Sequence, residues 1–239
     1  MSKLLIVCVV FFVSGAFMIG TYSSRNQSKI DALEKSPDRG KLKWYAEMAK
    51  AKGEKQILFR SAFVEYGVAR SLDEALANYN VVVAQPIQSL SFATGPLDIQ
   101  TWYRFRIIDE LSTSGVQCAT CSFSQSPPPE MLPLHANEFL ASKEGGEITV
   151  DGIKLISVDP DFPPFAKGKR YLLFLSFNND ETIAALQMGP WAAYEIQPSG
   201  NLEPVNKKFN HKLKHEIEND FGNSLDQLAA KLRGRAKTK

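Results

Sequence analysis

Hydrophobic and polar residues change their spacing several times along this chain, and each change marks an element. The chain opens on an uninterrupted apolar run, residues 4–20, preceded only by Met1, Ser2 and Lys3. A short positive start followed by an apolar stretch is the layout of an export signal, and Ser14, Gly15 and Ala16 supply the small residues that a signal peptidase inspects. The run also continues through Phe17, Met18 and Ile19 to Tyr22. That makes about 19 residues, which at ~1.5 Å per residue nearly span a hydrocarbon core of roughly 30 Å, so a retained anchor fits equally well. Cys8 follows bulky Val7 and is not read as a lipid-attachment site.

Residues 22–40 are polar and read as a spacer. Leu42, Tyr45, Met48 and Ala49 then recur at helical spacing among lysines and predict a short amphipathic helix that stops at Gly53. Residues 56–60 form a brief β-prone run. Ser71 and Glu74 make a capping box for a helix through Asn78. From Val81 the period becomes that of strands: residues 81–84, then 101–108, where Tyr103, Phe105 and Ile107 alternate with Arg104 and Arg106. Residues 147–150 and 153–158 flank Asp151-Gly152, a tight-hairpin dipeptide. Residues 171–177 are continuously apolar and predict a central strand buried on both faces. Residues 183–188 and 191–196 complete a set of about six or seven strands. After Pro204, Phe209, Leu213, Ile217 and Phe221 recur every fourth residue up to Gly222. Ser224 and Gln227 then open a second helix carrying Leu225, Leu228 and Leu232.

The expected organisation is an N-terminal signal or anchor (1–22), a polar spacer with a short helix (23–53), a β-barrel domain (54–205), two C-terminal helices (206–232) and a basic tail (233–239). The fold class is therefore mainly β, α+β overall. A hydrophobic fraction of 44% against 23% charged is that of a globular chain. With 28 basic and 26 acidic residues the charge is too even to indicate nucleic acid.

The strand of Val81, Val82 and Val83 after a Ser-Leu-Asp-Glu-Ala-Leu helix, the Tyr103-Arg104-Phe105 strand, the Gly145 to Gly152 turn region and the segment from Phe165 through Gly168 to Leu175 together resemble a group of exported bacterial proteins of unknown function. The resemblance covers residues 81–205, about half the chain. It implies a small closed or half-closed barrel of the oligomer-binding type and an extracytoplasmic location, but no activity.

Candidate chemistry concentrates in residues 112–133, a long irregular stretch of the kind that carries function or is unstructured. Cys118 and Cys121 stand at the spacing of a redox pair or half a zinc site. Neither site is complete in sequence, because no βαβ context accompanies the pair and no other cysteine follows the N-terminal apolar segment, and in an oxidising compartment a local disulfide is expected. Gln117, Phe123, Pro127, Pro128 and Pro129 complete the candidate binding loop. His211 and His215, four apart, share a helix face, yet Lys212 and Lys214 flank them and no third ligand is evident, so no metal is assigned. His135 stands alone. Asp159 and Asp161 sit among prolines and are read as structural. No G-x-S-x-G, phosphate loop, dinucleotide fingerprint or H-E-x-x-H is present. The expectation is a non-catalytic module with no cofactor. It would meet the membrane through residues 4–22 if these are uncleaved, and a protein or envelope component through its loop. The alternative is an extracytoplasmic thiol-redox or metal-binding protein using Cys118 and Cys121.

Overall fold

The computed structural model describes residues 26–60, 66–67, 69–114, 126–178, 182–208 and 211–236. Among the described residues, five α-helices and ten strands follow in chain order. Helix α1 covers 26–34, then come α2 (Leu42–Lys52), β1 (Gln56–Arg60), α3 (Leu72–Asn78), β2 (Asn80–Ala93) and β3 (Ile99–Ser112). After these lie β4 (Glu138–Glu144), β5 (Gly146–Val150), β6 (Ile153–Val158), β7 (Arg170–Phe177), β8 (Ile183–Ala185), β9 (Ala193–Ile196), β10 (Leu202–Pro204), α4 (Lys212–Phe221) and α5 (Leu225–Ala236).

Five strands close a barrel. β2, β3 and β4 form an antiparallel meander. β8 then lies parallel to β4 and antiparallel to β7, and β7 returns antiparallel to β2. The closure follows from side-chain alternation. Val82 and Ala84, Tyr103 and Phe105, Phe139 and Ala141, Leu173 and Leu175, and Ala184 all point into one buried cluster. β7 is buried along almost its whole length because its other face, at Leu172 and Phe174, packs under α3, α4 and α5. On the flank of β7 that β8 takes at Ser176 and Phe177, β9 pairs with the earlier residues Arg170 to Leu173, and β10 continues the sheet from β9.

The helices begin and end where local chemistry dictates. The Ser71 hydroxyl accepts the Glu74 amide at 3.1 Å, and Ser224 accepts the Gln227 amide at 3.4 Å. Gly53 and Gly222 close α2 and α4 in the left-handed conformation.

Several expectations are corrected. The hairpin of β5 and β6 does not belong to the barrel: β6 pairs in parallel with β1, making a separate three-stranded sheet. Its reason is a second apolar face, where Ile153 and Leu155 pack with Leu42, Ala46 and Ala49 of α2 and with Ile99. β4 is a strand the periodicity did not announce, so the long loop runs from β3 to β4. β2 and β3 extend to 14 residues each. The strand expected at 183–188 ends at Ala185, and the one expected from Trp191 starts at Ala193, after a 3₁₀ turn over Gly189–Ala192.

Candidate functional site at the mouth of the barrel

The two ends of the barrel differ. At one, Phe162 and Phe165 close the lumen, with Phe165 edge-on to Tyr103, Phe105 and Tyr171 at ring separations of 5.0–5.3 Å. Asp159 shapes this stopper, since its Oδ1 accepts the Asp161 and Phe162 amides at 2.9 and 3.1 Å and its Oδ2 accepts the Tyr66 hydroxyl at 3.0 Å. Asp161 enters this arrangement through its backbone amide. Lys143, an inward position of β4, is buried beside this stopper with its ammonium 5.0 Å from the centre of the Phe162 ring. Burial pulls its pKa down to about 8, against the opposing pull of Asp159 and Glu144.

The other end is open. A cleft of about 370 Å³ lies where β2 begins, β3 ends, β4 begins and β7 ends. Val82, Ile107 and Phe177, which face or adjoin the barrel core, and Leu134 give it an apolar side, but polar groups make up the larger part of its lining. Its rim is polar, with Asn80, Ser112 and Thr113 on one side and His135, Glu138 and Thr182 on the other, and Glu110 adds a carboxylate. Both roots of the 112–133 loop therefore border this cleft.

The roots are held firmly. Asn80 Oδ1 accepts the Ser114 amide at 2.9 Å, tying the departing chain to β2. On the returning side, Glu138 Oε2 accepts from Arg104 Nε at 2.7 Å, from Arg104 Nη2 at 2.5 Å and from the His135 amide at 3.1 Å. Arg104 Nη2 also donates to the Pro133 carbonyl at 2.9 Å. Burial alone would raise the Glu138 pKa, but the His135 amide and the Arg104 guanidinium outweigh it and hold the carboxyl below its ordinary range.

Of the residues singled out in sequence, Gln117, Cys118, Cys121 and Phe123 lie outside the described residues. Pro127 and Pro128 are half-buried and Pro129 is exposed. The Pro128 carbonyl accepts the Met131 amide at 2.9 Å in a 3₁₀ turn, and Met131 is buried against Trp102 and Leu140 on the outer barrel wall. His135 reaches the cleft rim. His211 is not on the helix with His215 but caps it: its Nδ1 accepts the Lys214 amide at 3.3 Å, and its ring meets Trp191 edge-on at 5.1 Å. Burial, then Lys214 and His215, lower its pKa to about 4. His215 is exposed. Among the described residues, no group of three or more His, Cys, Asp or Glu side chains could hold a metal ion.

Sequence reading missed Glu138, Arg104 and Lys143 as site or near-site groups. An acid immediately before the apolar Phe139, Leu140 and Ala141 was the available signal.

Comparison with protein-family models, curated proteins and solved structures finds no match in any of the three. Among the described residues no helix is long and apolar enough to cross a membrane, and the run at 4–20 lies outside them.

Proposed function

We propose that this chain is an extracytoplasmic, non-catalytic binding module that takes a protein or envelope component at the open mouth of its barrel, with the 112–133 loop contributing to the grip. The observation that carries the reading is the cleft of about 370 Å³ bordered by both roots of that loop. Barrel mouths are a common place for a ligand pocket, and this one sets an apolar patch at Val82, Ile107 and Phe177 among a larger number of hydrogen-bonding groups. A ligand with one apolar group for Val82, Ile107 and Phe177, and hydrogen-bonding atoms for Asn80, Thr113 and Thr182, matches this lining.

Two further features support the reading. The ring order, an antiparallel three-strand meander closed through one parallel pairing, fits the oligomer-binding-type barrel that the resemblance implies. The apolar start of the chain supports export, with the module released or left tethered.

The test is to replace residues 117–125 of the full chain with a short Gly-Ser linker. That cut spares the turn that buries Met131. The reading requires the thermal transition to stay close to that of the parent chain while capture of its partners is lost. A partner list that survives the replacement and also survives Phe177→Asp on the apolar side of the cleft rules it out.

A further inference from the structure

The three-stranded sheet has an edge that the mouth of the barrel does not involve. β1 pairs with β6 on one side, and among the described residues no strand pairs with its other side. In a parallel ladder alternate residues of a strand turn both backbone groups to the neighbour, and the residues between turn theirs away. The Lys154 amide donates to the Lys55 carbonyl at 3.0 Å and Gln56 lies opposite Lys154, which sets the phase. Ile57 and Phe59 therefore serve the β6 ladder. The amides and carbonyls of Gln56, Leu58 and Arg60 point outward.

Their side chains share one face of the sheet, while Ile57 and Phe59 turn to α2. Leu58 is 64% exposed, the most exposed large apolar side chain among the described residues. In the same row, Ile156 of β6 lies beside it. Cations bracket the strand: Lys55 and Arg60 are exposed and neither forms an ion pair among the described residues, and exposed Lys52 ends the preceding helix. Natural edges are blunted by shortness, charged side chains, prolines or bulges. β1 has neither a proline nor a bulge, its register with β6 is continuous over all five residues, and its charges stand at its ends, where they select among added strands.

We propose that β1 is a docking edge for an extended polypeptide segment that adds as a fourth strand, set in place by an apolar residue over Leu58 and Ile156 and by acidic residues opposite Lys55 and Arg60. Backbone hydrogen bonds supply the adhesion and the flanking charges set the register and exclude basic segments.

The full chain is titrated with a short synthetic peptide in which valine and threonine alternate between terminal glutamates, and amide exchange is followed residue by residue. Exchange at Gln56, Leu58 and Arg60 should slow by about tenfold or more at saturation, while Ile57 and Phe59, already bonded to β6, stay as they were. Leu58→Pro removes an outward amide without touching the β6 ladder, and should abolish the effect. Arg60→Glu leaves the backbone intact and should weaken binding of this peptide about tenfold while improving that of its lysine-ended counterpart. The proposal fails if the three amides are not protected, if the lysine-ended peptide binds the parent chain equally well, or if the amides are protected without peptide in a concentration-dependent dimer. Loss of mouth binding on cutting the long loop would leave this result unchanged, so the two sites are tested separately.

Discussion

Glu138 is hydrogen-bonded to the arginine diagonal to it and forms only a longer ion pair with the one directly opposite. Arg106 is its cross-strand partner in register, yet the nearest approach to Arg106 is 3.6 Å, whereas Arg104 reaches the carboxylate at 2.5 and 2.7 Å. The choice follows from burial. The Glu138 side chain is 1% exposed and Arg104 is 14% exposed, while Arg106 stands half in water. Arg104 also holds the Pro133 carbonyl, so a single guanidinium fixes the strand and the loop root together.

Removing that guanidinium strands a buried carboxylate. Arg104→Leu should cost about 3–5 kcal/mol in denaturant unfolding, and Arg106→Leu about 0–1 kcal/mol. Because the folded pKa of Glu138 is lowered, its contribution is present above the ordinary carboxylate value near 4.5 and is lost as pH falls through the lower folded value. The parent chain should therefore lose stability in that acid window more steeply than Glu138→Gln does.

Lys143 has a lowered pKa too, but as a buried cation it costs stability at neutral pH. Its folded pKa of about 8 lies below the ordinary 10.5, so between these values the unfolded chain binds more protons and stability rises with pH. Tyr103, which burial pushes up to about 12, begins to oppose this above pH 10. A stability maximum near pH 10 is expected in thermal melts. Lys143→Met, which keeps the stem over Phe162, should flatten the limb between pH 8 and 10 and stabilise the chain at pH 7 by on the order of 2 kcal/mol.

Gly146 joins the small sheet to the barrel wall. Its φ of 145° is one that side chains avoid, and a Cβ there would strike the Thr101 hydroxyl and lie 2.5 Å from Ser91 Oγ. Those two hydroxyls bond each other at 2.7 Å, and Thr101 donates to the Gly145 carbonyl at 2.6 Å. Gly146→Ala should cost about 2–4 kcal/mol in urea unfolding, whereas Gly200→Ala, in open space at φ 84°, should cost about 1 kcal/mol.

Met131 is the anchor of the returning loop. Met131→Ala should cost about 2–5 kcal/mol and change the emission of Trp102, against which it packs. Unchanged Trp102 emission would mean that the turn over Pro129–Met131 holds the wall without it.

Much of the barrel could be read from local signals. The apolar run at 171–177 is the central strand, and Asp151-Gly152 turns with φ of 49° and 79°, the positive pair its sequence demands. Both capping boxes open helices. β4 stayed hidden because its inward row ends on Lys143 and its outward row begins with Glu138, so charge and burial cancel the alternation that marks a strand. The parallel pairing of β1 with β6, about a hundred residues apart, has no local signature at all. The mouth was only half legible: the loop length pointed to it, but the cleft is assembled from four separate stretches, near Asn80, Ile107, His135 and Phe177.

The most direct test of the mouth as the binding site is site-specific photo-crosslinking from the full chain in its native extract. A photoreactive side chain is placed at Thr113, at His135 or, as control, at exposed Glu218 on α4. The same covalent adduct from positions 113 and 135, and none from 218, is the predicted result. An adduct that forms equally from 218, or no adduct from either rim position while the partner still co-purifies, would contradict it.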